Sequence, residues 1–221
     1  MVRAPLLNGR CIETEADIRD GIKALRRKCA IIRRVHDLTG MPPLRRREAG
    51  LEGLARIIVG QQLSVASAEA IWARFETVAR PFAATSVLAL SDDELRAVGL
   101  SRPKIRTLRA VCEAVAEGLD LTGFDAKTDE DIHATLTAIS GVGPWTADIF
   151  ILFCLGRADG FAAGDLALQV AAQRAFDLDE RPNAAALADL AERWRPWRGV
   201  AARLLWAYYR VVRSASSGLP V

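Results

Sequence analysis

Residues that ligate metals or form disulfides are scarce in this chain. Its four cysteines, Cys11, Cys29, Cys112 and Cys154, are scattered along 221 residues. They lack the clustered spacing of a zinc or iron–sulfur site and the density of a disulfide framework. The two histidines, His36 and His133, lie far apart and share no ligand pattern, and no acidic cluster marks a divalent-metal site. No run of eighteen apolar residues occurs, so no membrane-spanning helix is expected. The N-terminus carries Arg3 and Arg10 but no apolar stretch of the signal-peptide kind, and the expectation is cytoplasmic residence. Strand signals are few, and no internal repeat or low-complexity segment stands out. The net charge of +3 is too small to specify a nucleic-acid partner by itself.

Apolar residues, by contrast, make up 51% of the chain, and alanine is prominent among them. That composition suits a packed helical globule, long enough for one large domain or two small ones sharing a core. Periodicity predicts an all-α fold with helices over about 15–38, 50–61, 64–79, 91–98, 103–118, 129–139, 145–156, 165–176, 183–194 and 197–213. Ser91-Asp-Asp-Glu94 and Thr128-Asp-Glu-Asp131 each place a hydroxyl cap before acidic first-turn residues, which complements the helix dipole. Thr39-Gly-Met-Pro-Pro43 and the stretch 118–128 read as loops. Charge is uneven: residues 1–110 carry 20 Lys+Arg against 12 Asp+Glu, and residues 111–221 carry 10 against 15. The runs Arg26-Arg27-Lys28, Arg33-Arg34 and Arg45-Arg46-Arg47 suit either a phosphate-gathering face or ordinary solvated helix faces.

The most informative segment is Leu136-Thr-Ala-Ile-Ser-Gly-Val-Gly-Pro-Trp-Thr-Ala-Asp148. A helix runs into Ser140, turns through Gly141-Val142-Gly143 and restarts at Pro144, which suits a first helical turn because its missing N–H is no loss there. Two glycines two apart supply backbone angles that other residues resist. The result is a tight hairpin with N–H groups exposed at a new helix start, where a phosphate can sit. On Gly-Val-Gly alone, an ordinary connection between two helices is an equal reading. Downstream, Asp165 stands before the apolar run Leu166-Ala-Leu-Gln-Val-Ala-Ala. Local sequence reads it as a helix N-cap.

Three ordered motifs, Ile58-Val-Gly-Gln-Gln-Leu-Ser64, the hairpin, and Phe161-Ala-Ala-Gly-Asp-Leu-Ala-Leu-Gln169, resemble the helix–hairpin–helix DNA glycosylases, in particular the 3-methyladenine DNA glycosylase II branch. The resemblance covers roughly residues 40–212. It implies a two-lobed helical bundle, with residues 52–160 forming the lobe that holds the hairpin. The N-terminal helices of residues 1–51 would pack with the other lobe, whose segment 161–221 carries Asp165 and the C-terminal helices. The N-terminal mixed α/β domain of larger relatives is expected to be absent. Asp165 matches the family's catalytic aspartate, and the donors at a helix start suit an anionic carboxylate.

The resemblance also assigns the surrounding residues. Trp145 and Trp206 match aromatics of the alkylated-base pocket, where an electron-rich ring stacks on a cationic purine. Ile149 stands where the family has a third aromatic. Trp145 also occupies the position at which bifunctional relatives carry a Schiff-base lysine, which implies a monofunctional enzyme using water. Gln61 and Gln62 match the loop that enters the gap left by a flipped nucleotide, with Gln62 in place of an apolar wedge. Amides near Gly141, Gly143 and Thr146 are expected on backbone phosphate. A monovalent cation is expected on the carbonyls of Thr137, Ile139 and Val142. Lys104 and Arg106 suit either a position near phosphate or a solvated helix start. With no cysteine after Cys154, the C-terminal iron–sulfur cluster of some relatives is expected to be missing and no cofactor to be required.

The favoured reading is a monomeric, cytoplasmic, bacterial-type repair enzyme that binds duplex DNA, flips alkylated purines and hydrolyses their glycosidic bond. Two alternatives stand beside it: a glycosylase for oxidised or deaminated bases, and a non-catalytic helix–hairpin–helix DNA-binding module. A purely structural helical protein would leave three ordered motifs to coincidence.

Overall fold

The computed structural model describes residues 10–217, so the stretch that carries Arg3 lies outside the described residues. Contacts divide the chain into two compact units, Arg47–Leu155 and a discontinuous unit made of Met1–Arg46 with Gly156–Val221. The described residues contain helices and a single isolated bridge, Cys11 with Arg157, and no strand. No helix among them is long and apolar enough to cross a membrane.

The chain begins with α1 (Glu15–Lys28) and α2 (Ala30–Thr39). One helix was expected over 15–38, but Cys29 is extended, at φ −140° and ψ 112°, and separates them. Thr14 caps α1 in a reciprocal box with Asp17. The other unit then follows as α3 (Leu51–Gly60), α4 (Val65–Val78), α5 (Ala84–Ala89), α6 (Asp92–Ala97), α7 (Arg102–Ala116), α8 (Asp129–Thr137) and α9 (Pro144–Ile149). The chain returns to the first unit with α10 (Leu166–Phe176), α11 (Ala184–Ala191) and α12 (Arg198–Ser217). Ser91 and Thr128 cap α6 and α8 as the sequence predicts. Helix α5 carries no such signal. Its N-cap is Ala83, which makes no side-chain bond, and packing on α7 sustains it instead.

In the discontinuous unit the N-terminal segment is stitched to the return of the chain. Ile12 donates its amide to the Gly156 carbonyl at 2.6 Å, and Ala158 donates to the Arg10 carbonyl at 2.8 Å. Helix α12 packs against α1, α2 and α10 with Val200, Leu204 and Leu205 fully buried. The basic runs of α1 and α2 serve this unit from within. Arg26 pairs with Asp37, Arg33 donates to the Arg26 carbonyl, Arg34 to the Ala175 carbonyl, and Lys28 to the Arg195 carbonyl. Cations near helix ends satisfy carbonyls that have no amide partner.

In the other unit α3 is the central element, packed by α4, α7, α9 and the turn after α9. Leu54, Ala55, Ile57, Ile58 and Val59 are all buried, so the helix is apolar nearly all round, as an internal helix should be. The expected helix over 145–156 is α9 followed by a wider π turn, Phe150–Cys154, in which Leu155 donates its amide to the Phe150 carbonyl. That turn buries Phe150, Ile151, Leu152 and Cys154 together against the core.

Gly53 marks a close approach to α3: a Cβ there would meet the Glu48 carbonyl oxygen at 2.2 Å and Cys154 Sγ at 2.9 Å. Alanine normally gains about 1 kcal/mol over glycine inside a helix. Here overpacking, which costs about 1–3 kcal/mol, should win. Gly53→Ala is therefore expected to lower the midpoint of denaturant unfolding. A midpoint at or above that of the parent would show that the Glu48 segment yields freely.

Candidate active site

Helix α8 ends at Thr137, and the chain turns back through Gly141, which has φ +84°. That is the left-handed region, costly for any residue with a Cβ. The space is closed as well: a Cβ on Gly141 would lie 2.1 Å from Oγ1 of Thr107, which is buried on α7. Gly143 differs from what Gly-Val-Gly suggests. It is the N-cap of α9 in ordinary extended geometry, φ −87° and ψ 170°, and a Cβ there would meet nothing within 4 Å. Only Gly141 is required by conformation; Gly143 leaves its outer side open.

The amides of Gly141 and Gly143 have no acceptor among the described residues, as a phosphate-binding turn requires. Thr146 departs from its expected place in that set. It is 2% exposed, its amide donates to the Gly143 carbonyl at 3.0 Å, and its hydroxyl accepts from Gln61. Of the three carbonyls expected to hold a cation, that of Ile139 accepts the Val142 amide at 3.0 Å, whereas Thr137 lies at the end of α8, where carbonyls outrun their amide donors. No group of His, Cys, Asp or Glu among the described residues is arranged to hold a metal ion. His133 on α8 and Asp148 on α9 face one another at 3.6 Å. Trp145 is half-buried in the first turn of α9, and Ile149 is buried.

The Gln-Gln loop caps α3. Gln61 is the C-cap, and its side-chain Nε2 donates to Thr146 Oγ1 at 2.8 Å, which ties the loop to the hairpin. Gln62 is exposed with φ +57°, and Leu63 and Val65 beside it are exposed apolar residues. Ser64 closes the loop by capping α4. Lys104 lies neither free in solvent nor aimed outward: its Nζ donates to the carbonyls of Val59 and Gln61. Arg106 is exposed.

In the discontinuous unit Asp165 is the N-cap of α10 and half-buried. Its Oδ1 accepts from the Leu168 amide at 3.0 Å and from the indole Nε1 of Trp206 on α12, also at 3.0 Å. Two donors from different helices converge on one oxygen, which fixes the carboxylate plane. Trp206, read from sequence as a pocket aromatic, thus has a direct hold on the carboxylate. No local pattern signals that bond, because the partners are 41 residues apart.

An all-α chain with a glycine hairpin between α8 and α9, and an oriented carboxylate at the start of a later helix, has the architecture of the helix–hairpin–helix repair proteins. The chain belongs to the HhH-GPD superfamily of base excision DNA repair proteins, whose model matches residues 55–196. It is 32% identical over 160 residues to DNA-3-methyladenine glycosylase 1 of Schizosaccharomyces pombe, an alignment covering 70% of each protein. With the Bacillus subtilis relative YfjP it shares 33% identity over 122 residues, which span 55% of this chain and only 42% of the relative. Among solved structures, the S. pombe 3-methyladenine DNA glycosylase in complex with abasic DNA superimposes with a TM-score of 0.77 at 27% identity, covering 85% of this chain and 95% of that one. DNA-3-methyladenine glycosidase from Bacillus halodurans gives a TM-score of 0.75 at 29% identity, covering 93% and 94%.

The two hairpin glycines should respond differently to a methyl group. Gly141→Ala combines a left-handed backbone, about 1–2 kcal/mol, with the clash against Thr107, and thermal unfolding should shift down by several degrees. Gly143→Ala should cost less, only what alanine costs relative to glycine at an N-cap. Equal melting temperatures for the two variants would refute this division.

Proposed function

We propose that the protein is a monofunctional DNA glycosylase that flips alkylated purines of the 3-methyladenine type out of duplex DNA and hydrolyses their N-glycosidic bond, leaving an abasic site. The observation that carries this reading is Asp165, held at the start of α10 with Oδ1 fixed by the Leu168 amide and the Trp206 indole. Membership of a base excision repair superfamily and the relatives named for 3-methyladenine support the choice of reaction and substrate.

As the base departs, the sugar's C1′ and ring oxygen take on oxocarbenium character. A carboxylate already fixed in place stabilises that charge without reorganising during the reaction. It also orients the incoming water and takes its proton. Glycoside hydrolases need a second carboxyl group to protonate an alkoxide leaving group. An N3- or N7-alkylated purine carries its positive charge already and departs neutral, so one carboxylate is enough. Trp145 supplies an aromatic face for such a cationic base. The hairpin amides of Gly141 and Gly143 take a backbone phosphate without reading sequence, and Gln62 enters the vacated stack. The carbonyls of Thr137, Ile139 and Val142 would hold a monovalent cation at the hairpin, with the Ile139 oxygen shared with the Val142 amide, and no cofactor is needed for the chemistry itself.

Asp165→Asn is the direct test, because asparagine caps a helix as well as aspartate does and so isolates the charge. Base release from alkylated duplex DNA, followed by chromatography, should fall by about two to three orders of magnitude, the usual effect of losing one electrostatic stabiliser. The melting temperature should stay near that of the parent. Trp206→Phe keeps an aromatic ring, smaller than the indole, but removes the hydrogen bond to a charged group, and should cost about tenfold or more in the same assay. Release by Asp165→Asn within a few-fold of the parent would sink the assignment.

The end point separates hydrolysis from lyase chemistry. With an indole at position 145, the product should be an intact strand containing an abasic site. Borohydride added during turnover should trap no protein–DNA adduct. An adduct abolished by mutating one lysine would replace the water mechanism with Schiff-base chemistry.

A further inference from the structure

The loop expected to enter DNA has a backbone that its own amides cannot complete. Beyond Gly60, where α3 ends, the carbonyls at the helix terminus need donors from elsewhere. Gln61 donates its amide to the Ile58 carbonyl at 3.3 Å, and Leu63 donates to the Gly60 carbonyl at 3.4 Å. The intervening Val59 carbonyl and the following Gln61 carbonyl are both served by Lys104 Nζ, at 2.8 Å each. Lys104 lies in the first turn of α7, 43 residues from Gln61 and on a different helix. Its ammonium therefore closes the end of α3 where the chain bends away.

The bend is at Gln62, whose φ of +57° places a non-glycine residue in left-handed geometry. Such a conformation persists only when its surroundings hold it. The Gln61 carbonyl belongs to the peptide plane that joins Gln61 to Gln62, so a donor on that oxygen sets the direction from which Gln62 departs. The Gln61 side chain is anchored separately, by its bond to Thr146 Oγ1 at 2.8 Å. Gln61 is thus held through its main chain by Lys104 and through its side chain by the hairpin. Gln62, Leu63 and Val65 project from these anchors, and Val65 is 80% exposed. Partial burial pulls the Lys104 ammonium below its ordinary range, as desolvation of a charged group does.

We infer that Lys104 is the positioning residue of the base-flipping loop: its ammonium clamps the carbonyls of Val59 and Gln61 and presents Gln62 in the strained geometry needed to fill the gap left by a flipped nucleotide. The inference rests on the glycosylase reading above. It gives Lys104 a task distinct from both phosphate binding and Schiff-base catalysis. A phosphate contact would weaken all duplex binding alike, whereas a clamp acts on loop insertion after the duplex is bound. Because the clamp works through Gln62, removing it from a protein that already lacks the Gln62 side chain should change little.

The experiment uses the full chain and a duplex with a tetrahydrofuran abasic site flanked by 2-aminopurine, whose fluorescence rises when stacking at the gap is disturbed. Lys104→Met should slow or diminish that rise by about tenfold or more, as expected for losing charge-assisted hydrogen bonds. Its Kd for an undamaged duplex should move by less than about threefold, since phosphate contacts dominate non-specific binding. Lys104→Arg, which keeps a cation with several donors, should recover most of the signal and guards against a misfolded Met variant. Combined with Gln62→Ala, Lys104→Met should add no further loss. Full insertion by Lys104→Met at saturating protein, equal weakening on both duplexes, or additive losses in the double variant would each overturn the clamp. A parent that inserts normally but releases no alkylated base would overturn the enzymatic reading and leave the clamp standing.

Discussion

Helix ends leave backbone groups without partners, and the residues of functional interest in this protein occupy those ends. Asp165 satisfies the Leu168 amide at the start of α10. Gly143 begins α9 with its own amide unpaired among the described residues. Lys104 supplies donors to the end of α3. A fold of many short helices creates many such termini, and each must be closed by a side chain, by a turn or by a ligand. The termini left open to solvent are where an anionic backbone can bind.

The same requirement accounts for several basic residues of the N-terminal half. Their density invites an electrostatic reading, yet Arg33, Arg34 and Lys28 donate to main-chain carbonyls, and Arg26 is committed to Asp37 and His36. Affinity for a phosphate backbone does not need a broad positive face if amides are correctly placed. Two unpaired N–H groups at one turn contribute direction as well as attraction. Thr107 fills the space beneath Gly141, and His133 and Asp148 lie 3.6 Å apart between α8 and α9.

Asp165 combines two demands. As an N-cap it contributes about 1 kcal/mol to α10. In the proposed reaction the carboxylate must also be held in one orientation, and the capping bond together with the Trp206 indole holds it so. Structural and chemical roles reinforce one another, because the donors that order the helix start also order the anion. Trp206, which the family resemblance assigns to a pocket through its ring, bonds Asp165 through its N–H.

The sequence by itself determined the features encoded in neighbouring residues. The helical class follows from periodicity. The caps at Ser91, Thr128 and Asp165 follow from side chains placed before helical runs, and the turn at Gly141 with a restart at Pro144 follows from backbone preference. Each is a contact over three or four positions, so it leaves a local pattern. Tertiary structure decided the rest. Packing on α7 sustains α5 without a cap. The break at Cys29 interrupts a continuous helical pattern that gives no warning of it. Gly143 proves conformationally ordinary, because which glycine of a pair takes the left-handed angle depends on what lies beneath the turn, here Thr107. The Trp206–Asp165, Gln61–Thr146 and Lys104–Gln61 bonds join residues 41, 85 and 43 positions apart. Bonds of that span are set by how helices pack, and one-dimensional spacing carries no record of which distant donor will arrive at which oxygen.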